Sequence, residues 1–165
     1  MNYRGLLAEL ADRIQQLAKA ISERANIPDI SVFEKDRDWI IRQIDKLPRP
    51  LTVWLLDNRY RTTTLDEFRT IIQWDKTNVR PYIAEFWDCD DYAWRFKSNT
   101  ASVFLINAVA FVIDWSKPEC AHSYNVLFPE DSDPVVYEPQ TDSVMSVGEA
   151  RRYCQYGMTD YVLVV

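Results

Sequence analysis

The sequence has few basic residues and lacks a long apolar run. Its 165 residues include 19 Lys and Arg against 25 Asp and Glu, which gives a formal net charge of −6 at pH 7. Without a basic run, this balance argues against nucleic acid or an anionic membrane as a partner. No apolar stretch is long enough to span a bilayer, and no charged-then-apolar leader opens the chain. We therefore expect a soluble, cytoplasmic protein without a secretion signal.

Cysteine and histidine are also scarce. The chain has three cysteines, Cys89, Cys120 and Cys154, and a single histidine, His122. An odd cysteine count fits poorly with a disulfide framework and better with a reducing compartment. No C-x-x-C pair is present, which disfavours the alternative of zinc held by these four residues. Any mechanism that needs an imidazole base must use His122.

The first 47 residues are predicted to form an α-helical hairpin. Apolar positions recur every three or four residues from Tyr3 to Arg24, which is typical of an amphipathic helix. A capping box at Ser31 and Glu34 predicts a second helix that ends before Pro48. We expect residues 1–47 to precede a second region, 51–165, within one compact unit, since the chain is short for two separate cores.

The remaining chain reads as a short helix, a longer helix and several strands. A capping box at Thr64 and Glu67 opens a helix to about Asp75, and a second helix is predicted from Asp88 to Phe104. The predicted strands are Leu51–Leu56, Ala108–Trp115, Ala121–Phe128, Pro134–Gln140 and Tyr161–Val165. Helices followed by consecutive strands indicate an α+β domain with a mostly antiparallel sheet.

Cys89 lies where the longer helix is predicted to begin. With Asp88 as the N-cap, the thiol faces unpaired backbone N–H groups and the positive end of the helix dipole, which favour a thiolate. Cysteine nucleophiles are commonly activated in this way. The alternative is that the aspartates only cap the helix and that Cys89 packs as a small hydrophobe.

A base and a group that orients it are the usual companions of such a thiol. In the predicted strand His122–Phe128, the side chain of Asn125 points to the face opposite His122, so Asn125 is a poor orienter. In the next strand Glu138 is available, and a hairpin across residues 129–134 would bring it close to His122. We read Cys89, His122 and Glu138 as nucleophile, base and orienter. The alternatives are a core histidine and a surface glutamate.

Three short blocks carry a resemblance to a known family. The sequences 88–93 (DCDDYA), 121–125 (AHSYN) and 137–141 (YEPQT) resemble those of the papain-like cysteine peptidases that include the protease domain of the fairy-ring mushroom agglutinin and related bacterial, archaeal and viral domains. The resemblance covers about residue 51 to the C-terminus. It implies a papain-like fold, with a nucleophile-bearing helix on a mostly antiparallel sheet, and a Cys-His-Glu triad that cleaves a peptide or amide bond.

The resemblance also implies calcium-dependent activity, with Asp88, Asp91 and Gln140 at the matching metal-ligand positions. A separate argument points the same way. Three aspartates within two residues of Cys89 oppose a thiolate, and a bound divalent cation would reverse that effect. Such an acidic cluster can equally be a metal-free helix start.

One departure from the family and two rival functions stay open. Papain-like enzymes place a glutamine shortly before the nucleophile, and residues 84–86 provide none, so an oxyanion hole would need backbone N–H groups or another donor. One rival is a transglutaminase-like acyltransferase. The other is a catalytically silent, calcium-stabilised binding module or viral structural protein. We expect a peptide or protein substrate, and the two N-terminal helices are candidates for a cover over the cleft.

Overall fold

The structure, a computed structural model, describes residues 13–15 and 26–165, which form a mixed α/β fold. The helices of this part are α1 (Arg37–Ile44), α2 (Leu65–Trp74), α3 (Cys89–Phe104) and the single turn α4 (Val147–Ala150). The strands are β1 (Phe33–Asp36), β2 (Thr52–Trp54), β3 (Arg59–Thr62), β4 (Val109–Asp114), β5 (His122–Leu127), β6 (Val135–Glu138), β7 (Ser143–Ser146) and β8 (Tyr161–Val164).

Six of these strands form one sheet in the order β2-β8-β4-β5-β6-β7. The pairing of β2 with β8 is parallel and the other pairings are antiparallel, so the expected mostly antiparallel sheet is confirmed. Strand β4 is central because its residues are almost all apolar, and all but Ile113 are buried. Buried on both faces, such a strand reads as a continuous apolar run. Strands β1 and β3 form a second, two-stranded sheet.

Helix α3 packs on one face of the main sheet. Asn125 is fully buried, and its amide nitrogen donates to the carbonyl oxygens of Ala93 (2.9 Å) and Ala110 (3.0 Å), which joins the helix to the strands. The rings of Phe96 and Tyr137 lie 4.3 Å apart between their centroids. Since buried polar groups are costly unless bonded, these contacts fix where the first turn of α3 sits over the sheet.

The N-terminal hairpin differs from the prediction. The structure describes only residues 13–15 of the first predicted helix, and these are helical; the rest lies outside the described residues. The second helix starts at Arg37 because Asp36 caps it, with its Oδ1 accepting the Trp39 N–H at 2.8 Å. The predicted box at Ser31 and Glu34 does not form, since residues 33–36 pair as β1 with β3.

The fold contains three strands that the sequence did not predict, β1, β3 and β7. All three are short, and their pairing is visible only once their partners are known, as in the pairing of Glu34 on β1 with Arg61 on β3. The capping box at Thr64 and Glu67 is confirmed. Ile40, Ile44 and Leu47 pack into the core of the sheet face opposite α3, while the proposed boundary between residues 47 and 51 stays a prediction. Within residues 13–15 and 26–165, no helix is long and apolar enough to cross a membrane.

Candidate functional site

Cys89, whose thiol is free, is the first residue of helix α3. Asp88 is the N-cap, and its backbone N–H donates to Asp91 Oδ2 at 3.2 Å, as expected for a capping box. Cys89 is half-buried. The thiol therefore lies in the first turn of a 16-residue helix, where backbone N–H groups and the helix dipole favour negative charge.

His122 and Glu138 lie on adjacent antiparallel strands, His122 at the start of β5 and Glu138 at the end of β6. The imidazole Nε2 is 2.6 Å from Glu138 Oε2, and both side chains are largely buried. This bond leaves Nδ1 as the ring nitrogen available to a thiol. The structure thus brings together His122 and Glu138, the residues that the sequence suggested as base and orienter. They meet because β5 and β6 pair as a hairpin across residues 129–134.

Electrostatics at His122 favour the charged imidazolium. Burial lowers the pKa of His122, but hydrogen bonds from the ring to Cys89 and Glu138, together with their charges, raise it to about 9. Charge-assisted hydrogen bonds of this kind are the strong ones in proteins. At neutral pH the ring of His122 is therefore charged and lies between the Cys89 sulfur and the Glu138 carboxylate.

The carboxylate of Glu138 has three hydrogen-bond donors. His122 and the hydroxyl of Tyr156 (2.8 Å) share Oε2, and the backbone N–H of Gln140 donates to Oε1 at 3.0 Å. Burial raises the pKa of Glu138, but these donors and the charge of His122 bring it below its ordinary value. Glu138 therefore stays ionised and holds the imidazole in one orientation.

Tyr156 is a part of the site that sequence reasoning missed. It is buried, and its ring contacts those of His122 and Tyr124 edge to face, with centroids 5.6 Å and 5.0 Å away. Tyr156 belongs to a 3-10 helix, Cys154–Tyr156, 18 residues beyond Glu138. The signal that could have pointed to it is Cys154, because a disulfide joins Cys154 to Cys120, two residues before His122.

This disulfide corrects one prediction. The odd cysteine count argued against disulfides, yet Cys120 and Cys154 are bonded and Cys89 alone is free. The disfavoured alternative of zinc held by three cysteines and His122 does not hold either, because two of the thiols are consumed in the bridge. The count misled because one bonded pair and one free thiol also give an odd number.

The acidic residues around Cys89 fit the expected metal ligands only in part. The ligand atoms of Asp88, Cys89 and Asp90 lie within 4.8 Å of one another. A hydrogen bond with Asp88 raises the pKa of Asp90 to about 6, and the same hydrogen bond lowers the pKa of Asp88. Asp91 is engaged in the capping box, and Gln140 meets Glu138 through its backbone. Carboxylate oxygens suit calcium, and binding by Asp88, Asp91 and Gln140 stays a prediction.

A second surface, the tryptophan groove, lies on the α3 side of the sheet. This open groove of about 430 Å³ is lined by apolar side chains, including the exposed rings of Trp54, Trp94 and Trp115. Trp94 follows Cys89 by five residues on α3, and Trp115 follows Asp114, the register partner of His122. Trp87 lies outside this groove and packs against Tyr92 and under the Arg80 guanidinium.

Comparison with known proteins finds similarity of fold only. No family model and no curated protein matches the chain. A solved structure described as the PSL1a–E64 complex is similar, with a TM-score of 0.65 and 18% identity over 80% of this chain and 51% of that chain. A second is the Polyporus squamosus lectin bound to the human-type influenza-binding epitope Neu5Acα2-6Galβ1-4GlcNAc, with a TM-score of 0.60 and 19% identity over 80% of this chain and 49% of that one. The chain spans about half the length of these neighbours.

These findings correct the family and the function inferred from the sequence. The similar structures carry the name of a lectin, and no comparison supports a papain-like cysteine peptidase, so that identification and the peptide or amide hydrolysis it implied are wrong. The comparisons also give no support to a peptide substrate, to a calcium-binding hydrolase or to the alternative of an acyltransferase. They do not clearly support the alternative of a catalytically silent binding module. The three blocks misled because each is short, and the first has an ordinary local explanation as a helix cap.

The second neighbour is bound to a glycan, which is neither a nucleic acid nor a membrane. No comparison supports the peptide or protein partner expected for this chain.

Proposed function

We propose that Cys89, His122 and Glu138 form a nucleophilic thiol centre, whose function is to bond covalently to an electrophilic carbon of a ligand. The observation that carries the proposal is that the His122 imidazole interacts with the free, half-buried thiol of Cys89 and lies, through Nε2, 2.6 Å from the buried Glu138 carboxylate. A nucleophile, a base and a group that orients the base are the parts that covalent catalysis needs. The proposal concerns thiol chemistry and assigns no substrate bond.

The residues have separate roles in this proposal. In this proposal the proton of the Cys89 thiol is held by His122 as the imidazolium, and the sulfur attacks the electrophilic carbon as a thiolate. A new S–C bond forms as the carbon–leaving-group bond breaks, and the imidazolium returns the proton to the departing atom. Glu138 stays ionised and holds the ring, and the N-terminus of α3 stabilises the thiolate before attack.

The rate of alkylation by iodoacetamide tests the proposal. Cys89 is the one free thiol once Cys120 and Cys154 are bonded, so the label reports on a single site. At pH 6 we expect the His122→Ala variant to react about 100-fold more slowly than the unmodified protein, because the variant lacks the neighbouring imidazolium that favours a thiolate at Cys89. Glu149→Gln, at an exposed carboxylate away from the site, is the matched control and should react at the original rate.

Equal rates in the unmodified protein and in His122→Ala would overturn the thiol centre. E64, the compound named with one similar structure, is a second probe, and a mass increase on the Cys89 peptide would extend the proposal to that ligand.

A second proposal concerns glycan recognition in the tryptophan groove. It is supported by three indole rings exposed by 59% (Trp54), 51% (Trp94) and 46% (Trp115), and by the glycan bound to the lectin that is similar in structure. Amphipathic aromatic rings suit a ligand with one apolar face and a wet edge, as a sugar ring has. In an open groove the sugar hydroxyls would remain in water.

Tryptophan fluorescence with added Neu5Acα2-6Galβ1-4GlcNAc tests this second proposal. We expect a saturable change that is lost in Trp94→Ala and kept in Tyr82→Ala, which removes an exposed aromatic ring outside the groove. No saturation at millimolar glycan, or equal binding by Trp94→Ala, would contradict it.

A further inference from the structure

The disulfide and the thiol centre meet at one carboxylate oxygen. Cys120 precedes His122 by two residues, and Cys154 precedes Tyr156 by two residues. His122 and Tyr156 both bond to Glu138 Oε2, at 2.6 Å and 2.8 Å. The bridge therefore closes a small ring that runs from the disulfide through His122 to Glu138 and returns through Tyr156. A break at the disulfide removes the covalent link between the two short arms near His122 and Tyr156, which then meet through their hydrogen bonds to Glu138 and the contact of their two rings.

The arm before His122 has few other anchors. It contains the 3-10 helix Pro118–Cys120, whose residues are exposed or half-buried, and the backbone bond from Cys120 N–H to Lys117 is internal to the arm. Further back, Ser116 is held by the buried Asp114 and by two N–H groups, from Thr159 and Asp160. Between Ser116 and His122, the disulfide is the covalent cross-link that joins this arm to another segment of the chain.

The arm before Tyr156 is held in a similar way. Its backbone contacts are local, with Tyr153 N–H bonded to Ala150 and Tyr156 N–H bonded to Tyr153. Gly157, next in the chain, packs closely on Ser116, where an added Cβ would lie 2.5 Å from the Ser116 Cβ. That contact holds the far end of the arm. The near end, at Cys154, depends on the bridge, and both cysteines are half-buried, so a small dithiol can reach them.

We propose that the Cys120–Cys154 disulfide is a redox control of the thiol centre, with Tyr156 as a positioning residue that transmits it to Glu138 and His122. The inference rests on the proposed thiol chemistry of Cys89. A dithiol reductant supplies two electrons and two protons, the S–S bond breaks to give two thiols, and the reductant becomes a disulfide. Both arms then become more mobile, and His122 and Tyr156 lose their hydrogen bonds to Glu138 Oε2. As a result, the His122 imidazole is no longer held in one orientation beside Cys89.

The single histidine gives the test a direct readout. The proton and carbon signals of the His122 imidazole can be followed by NMR against pH in the oxidised protein, in the protein reduced with dithiothreitol, and in the double variant Cys120→Ser/Cys154→Ser. Alkylation of Cys89 is measured in parallel by peptide mass spectrometry after the reductant is removed. We expect the reduced protein and the double variant to label Cys89 about tenfold more slowly, as is common when an outer partner of a reactive group is lost.

We also expect the pKa of His122 to fall from about 9 toward its ordinary value of about 6.5 in both reduced forms. Tyr156→Phe should show part of both effects, and Tyr153→Phe, which alters an exposed ring in the same segment, should show neither. Dithiothreitol should leave the double variant unchanged. If that variant does not fold, reversible reduction of the unmodified protein supplies the same comparison.

The outcomes separate the two proposals. Fast labelling of Cys89 that does not change on reduction, with an unchanged His122 titration, would overturn the redox control and leave the thiol centre intact. Labelling no faster than in His122→Ala would remove the thiol centre, and the NMR titration would still decide whether the disulfide positions His122.

Discussion

Replacing Glu138 by Gln tests the electrostatic reasoning about the site most directly. The change keeps the size of the side chain and removes the negative charge 2.6 Å from His122 Nε2. Burial then acts against the charged ring with less opposition, so we expect the pKa of His122 to fall from about 9 to its ordinary value or below. From about 9 to about 6.5, the lost stabilisation of the imidazolium is about 3 kcal/mol.

NMR titration of the single imidazole between pH 5 and pH 10, a range of about five units around its ordinary value, measures this shift without assignment ambiguity. Glu149→Gln is the matched control and should leave the titration in place. At pH 7.5 the ring would change from charged to neutral in Glu138→Gln, and Cys89 alkylation should slow with it. A His122 pKa that stays near 9 in the Glu138→Gln variant would refute the reasoning, because the charge would then come from another source.

Three more predictions concern the charge of His122, the charge of Glu67 and the effect of calcium on Cys89. His122, with its raised pKa, should add about 3 kcal/mol to the free energy of unfolding below about pH 6.5 and lose that contribution as the pH rises through about 9. Urea unfolding at both ends of this pH range should show the loss in the unmodified protein and not in His122→Ala. Burial raises the pKa of Glu67, but hydrogen bonds from Thr63, Ser31 and Thr64 lower it to about 2. Glu67→Gln should therefore destabilise the protein above pH 4.5, with the difference fading as the pH falls toward 2. Calcium should raise the rate of Cys89 alkylation relative to chelator, and equal rates would end the calcium prediction.

Local chemistry made much of the site predictable from the sequence. The start of α3 could be predicted because Asp88 and Asp91 have capping spacing, and that placed Cys89 in the first helical turn. The nearness of His122 and Glu138 followed from a single assumption, that two consecutive strands pair as a hairpin. Both steps need only contacts between residues close in sequence, where periodicity and turn signals are informative.

Contacts between distant segments were not predictable in the same way. The bridge from Cys120 to Cys154 spans 34 residues, and cysteine spacing alone does not reveal such a pairing. Tyr156 reaches Glu138 only because the bridge and the packing of Gly157 on Ser116 bring its segment back to the sheet. Strand β1 was read as helix because its pairing with β3 lies outside any local window, and tertiary pairing then decided the conformation.

Fold and chemistry separate in this protein. A likeness at 18–19% identity shows that the chain shares an architecture with chains that carry a lectin name, and one architecture can host unrelated functions. The buried imidazole–carboxylate pair beside a free thiol does not follow from that architecture, since burying a charged pair is costly unless every partner is satisfied. Here the partners are satisfied, by Tyr156 and by the Gln140 backbone. The proposed thiol chemistry rests on this network next to Cys89, so the reactivity of that thiol decides between a chemical and a purely binding role.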